Sequence, residues 1–285
     1  MSTQPIIMDG KTVSQQILEQ CAVRVRAIVE RTGVTPCLTT VLVGSDPASA
    51  TYVKMKCKRC EAVGMKSLRV DMPETTTTAE LVARIAELSA DPAIHGILLQ
   101  HPVPKQIDER AAFEAIVPSK DVDGVTIHSF GTTSFDLPGF GSCTPAGMMR
   151  LLDHYKVEIK GKHAVVIGRS PILGKPMAMM LLARHATVTI CHSRTKDLPE
   201  IARQGDILVA AVGKANFVKG DWVKEGAVVL DAGYNEGNVG DVDYAPAAAR
   251  ASMITPVPGG VGPMTIATLI DQTATAAERL LGIHA

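Results

Sequence analysis

The sequence has no net charge. Lys plus Arg and Asp plus Glu each number 29, so no overall field draws the chain to nucleic acid or to an anionic membrane surface. Any anion it binds must be gripped locally. No stretch approaches the ~20 apolar residues a membrane span needs. The opening MSTQPIIMDGK has only a three-residue apolar run and no small-residue cleavage pattern, so a cytoplasmic location is the expectation. Cysteine is sparse and scattered. Of the six, only Cys57 and Cys60 form a C-x-x-C, with no second pair and no histidine nearby. The pair lacks what a zinc site requires, no metal is expected, and the thiols read as small buried hydrophobes in preference to metal or redox groups. Short internal repeats and low-complexity tracts are also missing.

What is present is 285 residues, 46% of them hydrophobic, enough for two modest domains with cores of their own. Val13, Ile17, Cys21, Val25 and Ile28 recur at helical period, with Gly33 where a C-terminal cap belongs. CLTTVLVG then reads as a buried strand, residues 48–63 as a helix, KSLRVDM as a strand, 78–89 as a helix and HGILLQ as a strand. Strands separated by helices of this length predict parallel βαβ units, and hence two three-layer α/β domains. The weakest pattern is HSFGTTSFDLPGFGSC, residues 128–143. It leads into TPAG, where Thr144 is placed to cap a helix that has Pro145 at its first position. The expected boundary lies near residue 146. Residues 1–146, completed by a C-terminal helix over 267–285, make a first domain, and 147–266 make a second.

In the second domain, HAVVIGRSPILGKPMAMMLLARH is a short apolar strand, a glycine turn and a helix, the arrangement that aims helix N-terminal amides at a phosphate. The turn is Gly168-Arg169-Ser170 with Gly174 following, not G-x-G-x-x-G, so by itself it is a weak motif that leaves a purely structural β-turn-α as the lesser alternative. The next strand, TVTICHSRT, lacks the acidic residue that usually takes the ribose hydroxyls. It offers Ser193, Arg194 and Thr195 instead. A cationic, hydroxyl-rich strand end suits a 2′-phosphate, which predicts NADP over NAD, and Arg169 adds a second guanidinium. DILVAAVGKANFV and GAVVLDAGYN repeat the strand-then-glycine pattern, so Gly213 and Gly233 are expected at the same ligand-facing edge of a Rossmann-type sheet.

In the first domain, SATYVKMKCKRC sets Tyr52 and Lys56 on one helical face by their i, i+4 spacing. Spacing alone favours a solvated basic face. Taken with GILLQHPVP (96–104), PSKDVDG (118–124), TPVPGGVGPMT (255–265) and GRSPILGKP, however, YVKMK resembles the methylenetetrahydrofolate dehydrogenase/cyclohydrolase family over essentially the whole chain. The three prolines and three glycines of TPVPGGVGPMT, a stretch that includes Pro258, Gly259, Gly260, Val261 and Gly262, leave a backbone with few side chains that flat rings can approach. The motif also reads as a turn before a helix starting at about Thr265.

The resemblance implies NADP-dependent oxidation of 5,10-methylenetetrahydrofolate to the methenyl cation, then hydrolysis to 10-formyltetrahydrofolate, with the chain a homodimer paired through the cofactor domain. Hydride transfer asks for the reacting atoms within about 3–3.5 Å, so substrate and nicotinamide are expected in a cleft shared by the domains. Hydrolysis needs a proton acceptor. A lysine serves near neutral pH only when its surroundings lower its pKa from ~10.4, and by resemblance that lysine is Lys56. Gln100 then orients it, Tyr52 packs on the substrate rings, and Asp123 hydrogen-bonds the pterin. Tyr234 and Thr265 fall beside the cofactor and Pro258 to Gly262 beside the substrate. The chain departs from the family pattern at His101, where an apolar residue usually follows the Gln. It also departs at Tyr234, usually a small aliphatic, and at Gly141-Ser142, where Pro is common. Two alternatives remain open on the sequence: a dehydrogenase without cyclohydrolase activity, acting on folate or on another small substrate, and a non-catalytic NADP-binding protein.

Overall fold

The computed structural model describes residues 4–44 and 47–283, with side chains from residue 53 onward after the break. In chain order the elements are β1 (Ile6–Ile7), α1 (Gly10–Thr32), β2 (Cys37–Val43), α2 (Pro47–Ala62), β3 (Lys66–Met72), α3 (Thr78–Ala90) and β4 (Gly96–Leu99). Next come α4 (Glu109–Glu114), α5 (Ile127–Ser134), α6 (Cys143–His154), β5 (His163–Ile167), α7 (Gly174–Ala183) and β6 (Thr187–Cys191). The chain ends with α8 (Leu198–Ala202), β7 (Ile207–Ala210), β8 (Val228–Asp231), α9 (Tyr244–Ala248), β9 (Met253–Ile254) and α10 (Val261–Leu280). The fold is α/β throughout, and every strand pair is parallel.

Two compact units result. One comprises Gln16–Thr132, Gly139–Gly141 and Ile266–Ala285, with a three-stranded sheet in the order β3-β2-β4. All seven residues of the central strand β2 are buried, which is why CLTTVLV is continuously apolar apart from its two threonines. Val25 and Ile28 of α1 are buried in this unit. The helix ends where Gly33, at φ 71°, donates its N–H to Val29 O, a left-handed C-terminal cap that glycine adopts without strain. A reciprocal capping box between Thr77 and Glu80 starts α3, which buries Leu81, Ile85 and Leu88.

The other unit comprises Met1–Gln15, Thr133–Pro138 and Ser142–Thr265. Its six-stranded Rossmann-type sheet has the order β1-β9-β8-β7-β5-β6. Three local features differ from the sequence expectation. The N-terminal residues, expected to open the first domain, pair instead with the second sheet, Ile6 against Met253 and Ile7 against Ile254. Two residues are too few to show a strand period. The weakly patterned stretch contains α5, whose start is fixed from outside: Glu114 accepts from Ile127 N, and Thr126 Oγ1 accepts from Ser129 N. Thr144 caps nothing, because α6 already begins at Cys143, and its hydroxyl lies 3.0 Å from that of Thr265.

The final helix also begins earlier than expected, at Val261. The turn before it is held by the start of α1: Lys11 N donates to Gly259 O, Gly260 N donates to Pro256 O, and a Cβ on Gly10 would collide with Gly260 O. The backbone of Pro258 to Gly260 is therefore set by the chain itself.

Candidate active site

On the three-stranded sheet, the sites named by sequence lie beyond the C-terminal ends of strands. Gln100 follows β4, and its N–H donates to Val41 O of β2. Its amide is oriented by its own neighbour: Nε2 donates to His101 O at 2.9 Å, leaving Oε1 to accept from Lys56 Nζ at 3.0 Å. Lys56 is partly buried on α2. An amide oxygen holds a lysine amine in either protonation state, whereas a carboxylate in its place would hold the ammonium form. The side chain of Tyr52 lies outside the described residues, although α2 runs through its position. The His101 ring stands edge-on to Phe113, with centroids 5.9 Å apart.

Within KDVDG the polar residues divide between structure and availability. Lys120 is buried and donates to Ser89 O and Asp91 O, closing the end of α3. Asp121, fully buried, accepts from Val125 N, Thr126 N, Thr126 Oγ1 and Ser129 Oγ. Asp123 is partly exposed, and among the described residues its carboxylate accepts nothing. The loop that carries it is clamped by a residue the sequence pattern did not single out. Gln272 of α10 donates to Val122 O at 2.7 Å and to Gly141 O at 3.0 Å.

In the six-stranded sheet the remaining candidates gather at the C-terminal ends of β5, β6, β7 and β8. Gly168 sits at φ 135°, where a Cβ would meet Ala211 O; a Cβ on Gly174 would meet Gly168 O, and Ser170 Oγ accepts from Gly174 N. These glycines are demanded by the protein's own backbone as well as by any ligand. Arg169 and Arg194 are exposed, and among the described residues neither guanidinium has an acceptor. Ser193 is exposed, and neither its hydroxyl nor its N–H has a partner there. Thr195 Oγ1 is already engaged, accepting from His192 N at 2.8 Å. Unpaired donors and cations, with no carboxylate at the end of β6, fit a nucleotide bearing a 2′-phosphate. Tyr234 is exposed, and its hydroxyl donates to Asn238 Oδ1.

Gly213, at φ 66°, is exposed with open space at its α-carbon, whereas Gly233 is buried and a Cβ there would strike the Asp241 carboxylate. Its glycine is thus explained by a buried acid. Asp241 accepts from Val212 N, Gly213 N and Lys214 N at 2.6, 2.8 and 2.9 Å, and so fixes the loop after β7. Asp231 accepts from Gly233 N, Asp241 N and Val242 N. In the sequence both acids sit among glycines and look like turn residues.

Two family models together account for most of the chain: tetrahydrofolate dehydrogenase/cyclohydrolase, catalytic domain, over residues 8–123, and its NAD(P)-binding domain over residues 142–281. The chain belongs to the tetrahydrofolate dehydrogenase/cyclohydrolase family. It is 61% identical over 279 residues to the bifunctional protein FolD of Acidobacterium capsulatum, covering 98% of this chain and 99% of that one. Its fold matches the bifunctional FolD enzyme of Campylobacter jejuni with a TM-score of 0.93 and 45% identity, over 96% of this chain and 98% of that one. It also matches the Trypanosoma brucei FolD, solved with NADP and an inhibitor, with a TM-score of 0.94 and 36% identity over 99% and 100% of the two chains.

Burial pushes the Asp231 carboxyl up to about 6; the Asp241 carboxylate adds to the effect, and the three backbone N–H groups oppose it. The folded chain thus keeps this proton at a pH where an unfolded aspartate, near 3.9, has lost it. The resulting stability is fully present below about pH 4 and is lost as pH rises towards 6, by about 3 kcal/mol at about 1.4 kcal/mol per pH unit. Urea denaturation of wild type and Asp231→Asn between pH 4 and 7 should show wild type losing ground to the variant as pH rises. A constant gap would contradict the assignment.

Proposed function

We propose that this chain oxidises 5,10-methylenetetrahydrofolate with NADP to the 5,10-methenyl compound and hydrolyses that product to 10-formyltetrahydrofolate, within one-carbon metabolism and the supply of formyl groups for purine synthesis. The observation that carries the hydrolytic half is the Lys56–Gln100 hydrogen bond. The acid-free turn after β6 carries the choice of NADP. NADP, when bound, accepts the hydride from the one-carbon bridge.

The chain's own residues do the rest. Arg194, Ser193 and Arg169 offer donors to phosphate that are unpaired among the described residues, and the backbone at Gly213 has open space for close approach. Asp123, whose oxygens accept nothing among the described residues, accepts from the paired N–H groups of the pterin, and its loop is held by Gln272 and Asp121. Tyr52, four residues before Lys56 in the sequence, is assigned the substrate ring face. In hydrolysis, water adds to the methenyl carbon and the neutral Lys56 amine takes the proton that water sheds, while Gln100 Oε1 keeps the amine aimed. The bond from that carbon to N5 then breaks as the added oxygen forms the formyl C=O, and N5 takes up the proton that this hydroxyl loses.

A cytoplasmic homodimer completes this proposal. Among the described residues no helix is long and apolar enough to cross a membrane. Strand β6 is an open sheet edge with Ile190 on it, and Leu182 on the preceding helix is 54% exposed. A second copy seated along that edge would cover both. Sedimentation at micromolar concentration should return twice the chain mass; a monomer removes the homodimer from the proposal.

The activity is tested with pure protein, methylenetetrahydrofolate and NADP or NAD, following reduced nicotinamide and then loss of the methenyl chromophore. Lys56→Gln should hydrolyse the methenyl compound about 10²- to 10⁴-fold more slowly, the usual share of a general base, with much less change in substrate affinity. Hydrolysis at wild-type speed in the variant removes Lys56 as the base. Failure of wild type to reduce either nucleotide removes the enzymatic proposal altogether.

A further inference from the structure

The turn that ends β6 is closed three times over. Thr195 N donates to His192 O at 2.9 Å, the bond of an ordinary β-turn, and Thr195 Oγ1 accepts from His192 N at 2.8 Å. The third closure comes from the ring of His192, whose Nδ1 accepts from Arg194 N at 3.1 Å. The imidazole nitrogen reaches the backbone two residues on, the closure that Asn and Asp side chains make in an Asx turn. It also settles the tautomer. A nitrogen that accepts from a backbone N–H carries no proton, so the ring N–H is on Nε2.

Ser193 and Arg194 occupy the two central positions of this turn, and both are exposed. Arg194 has rotamer freedom to spare, and its backbone at an exposed strand end would add to it. Fixing the backbone N–H leaves only the side-chain torsions to be ordered when an anion arrives. The ring of His192 contributes to that ordering without occupying the place where the anion binds.

We propose that His192 is the positioning residue for nucleotide preference: its Nδ1 holds the Arg194 backbone so that the guanidinium meets the 2′-phosphate. This rests on the assignment of Ser193 and Arg194 as the 2′-phosphate cup. The ring adds nothing to the parts of the cofactor common to NADP and NAD. Removing it should therefore lower the use of NADP selectively, through KM and not through kcat, and an acceptor of similar reach should restore it.

The test measures kcat and KM with NADP and with NAD for wild type, Arg194→Ala, His192→Leu and His192→Asn, each checked for an unchanged melting temperature. His192→Leu should lower the NADP-to-NAD ratio of kcat/KM about tenfold, the order of one hydrogen bond, with kcat on NADP within about twofold. His192→Asn should recover most of the ratio, because Asn Oδ1 accepts from the same N–H. The proposal is overturned if His192→Leu keeps the wild-type ratio, if it loses both nucleotides equally, or if Asn behaves as Leu does. An unchanged ratio in Arg194→Ala overturns the phosphate assignment itself. A collapsed ratio there beside a wild-type ratio in His192→Leu overturns only the role of the ring.

Discussion

The hydrogen bond from Lys56 Nζ to Gln100 Oε1 is the interaction on which the proposed hydrolysis depends, because its acceptor is uncharged. A carboxylate in that place would raise the lysine pKa by about 1–3 units and leave an ammonium group with no capacity to take a proton. An amide aligns the amine without fixing its charge. Its aim is inherited from the sheet. Strand β2 is buried along its whole length, Gln100 N is tied to Val41 O at the end of that strand, and the His101 carbonyl occupies the amide nitrogen. The core thereby decides which atom of Gln100 faces the lysine.

A second constraint recurs around the sites: buried carboxylates act as internal ligands for backbone. Asp121 gathers the N–H groups that follow KDVDG, Asp241 those after β7, and Asp231 those of the loop after β8. Each replaces water that these loops would otherwise require, and each fixes a glycine-bearing segment before any ligand binds. Ordering the loop during folding removes that entropy cost from binding. Burial makes the arrangement expensive for Asp231, whose proton is retained to about pH 6.

Much of this was legible in the sequence where one physical signal dominated. KSLRVDM coincides with β3, residues 78–89 with α3 to within one residue, and HAVVI with β5, because apolar periodicity and β-branched runs were uncontested there. The α5 helix was not legible, since its Gly, Ser and Thr residues have weak helical propensity and its start is fixed by Glu114 and Thr126. Strand β1 was hidden by its length of two residues. The motif KDVDG could be quoted, but only the folded chain separates a buried Asp121 from an available Asp123. Likewise His192, Gln272 and Asp241 act through backbone atoms distant or irregular in sequence, and no side-chain pattern marks such contacts.

Replacing Gln100 by Glu, and following methenyltetrahydrofolate hydrolysis against pH, measures directly whether an uncharged partner is what lets Lys56 accept a proton. With the carboxylate in place, the rise of rate with pH should move about one or more pH units upward and the rate at pH 7 should fall accordingly. A profile that superimposes on that of wild type would contradict the role of the amide.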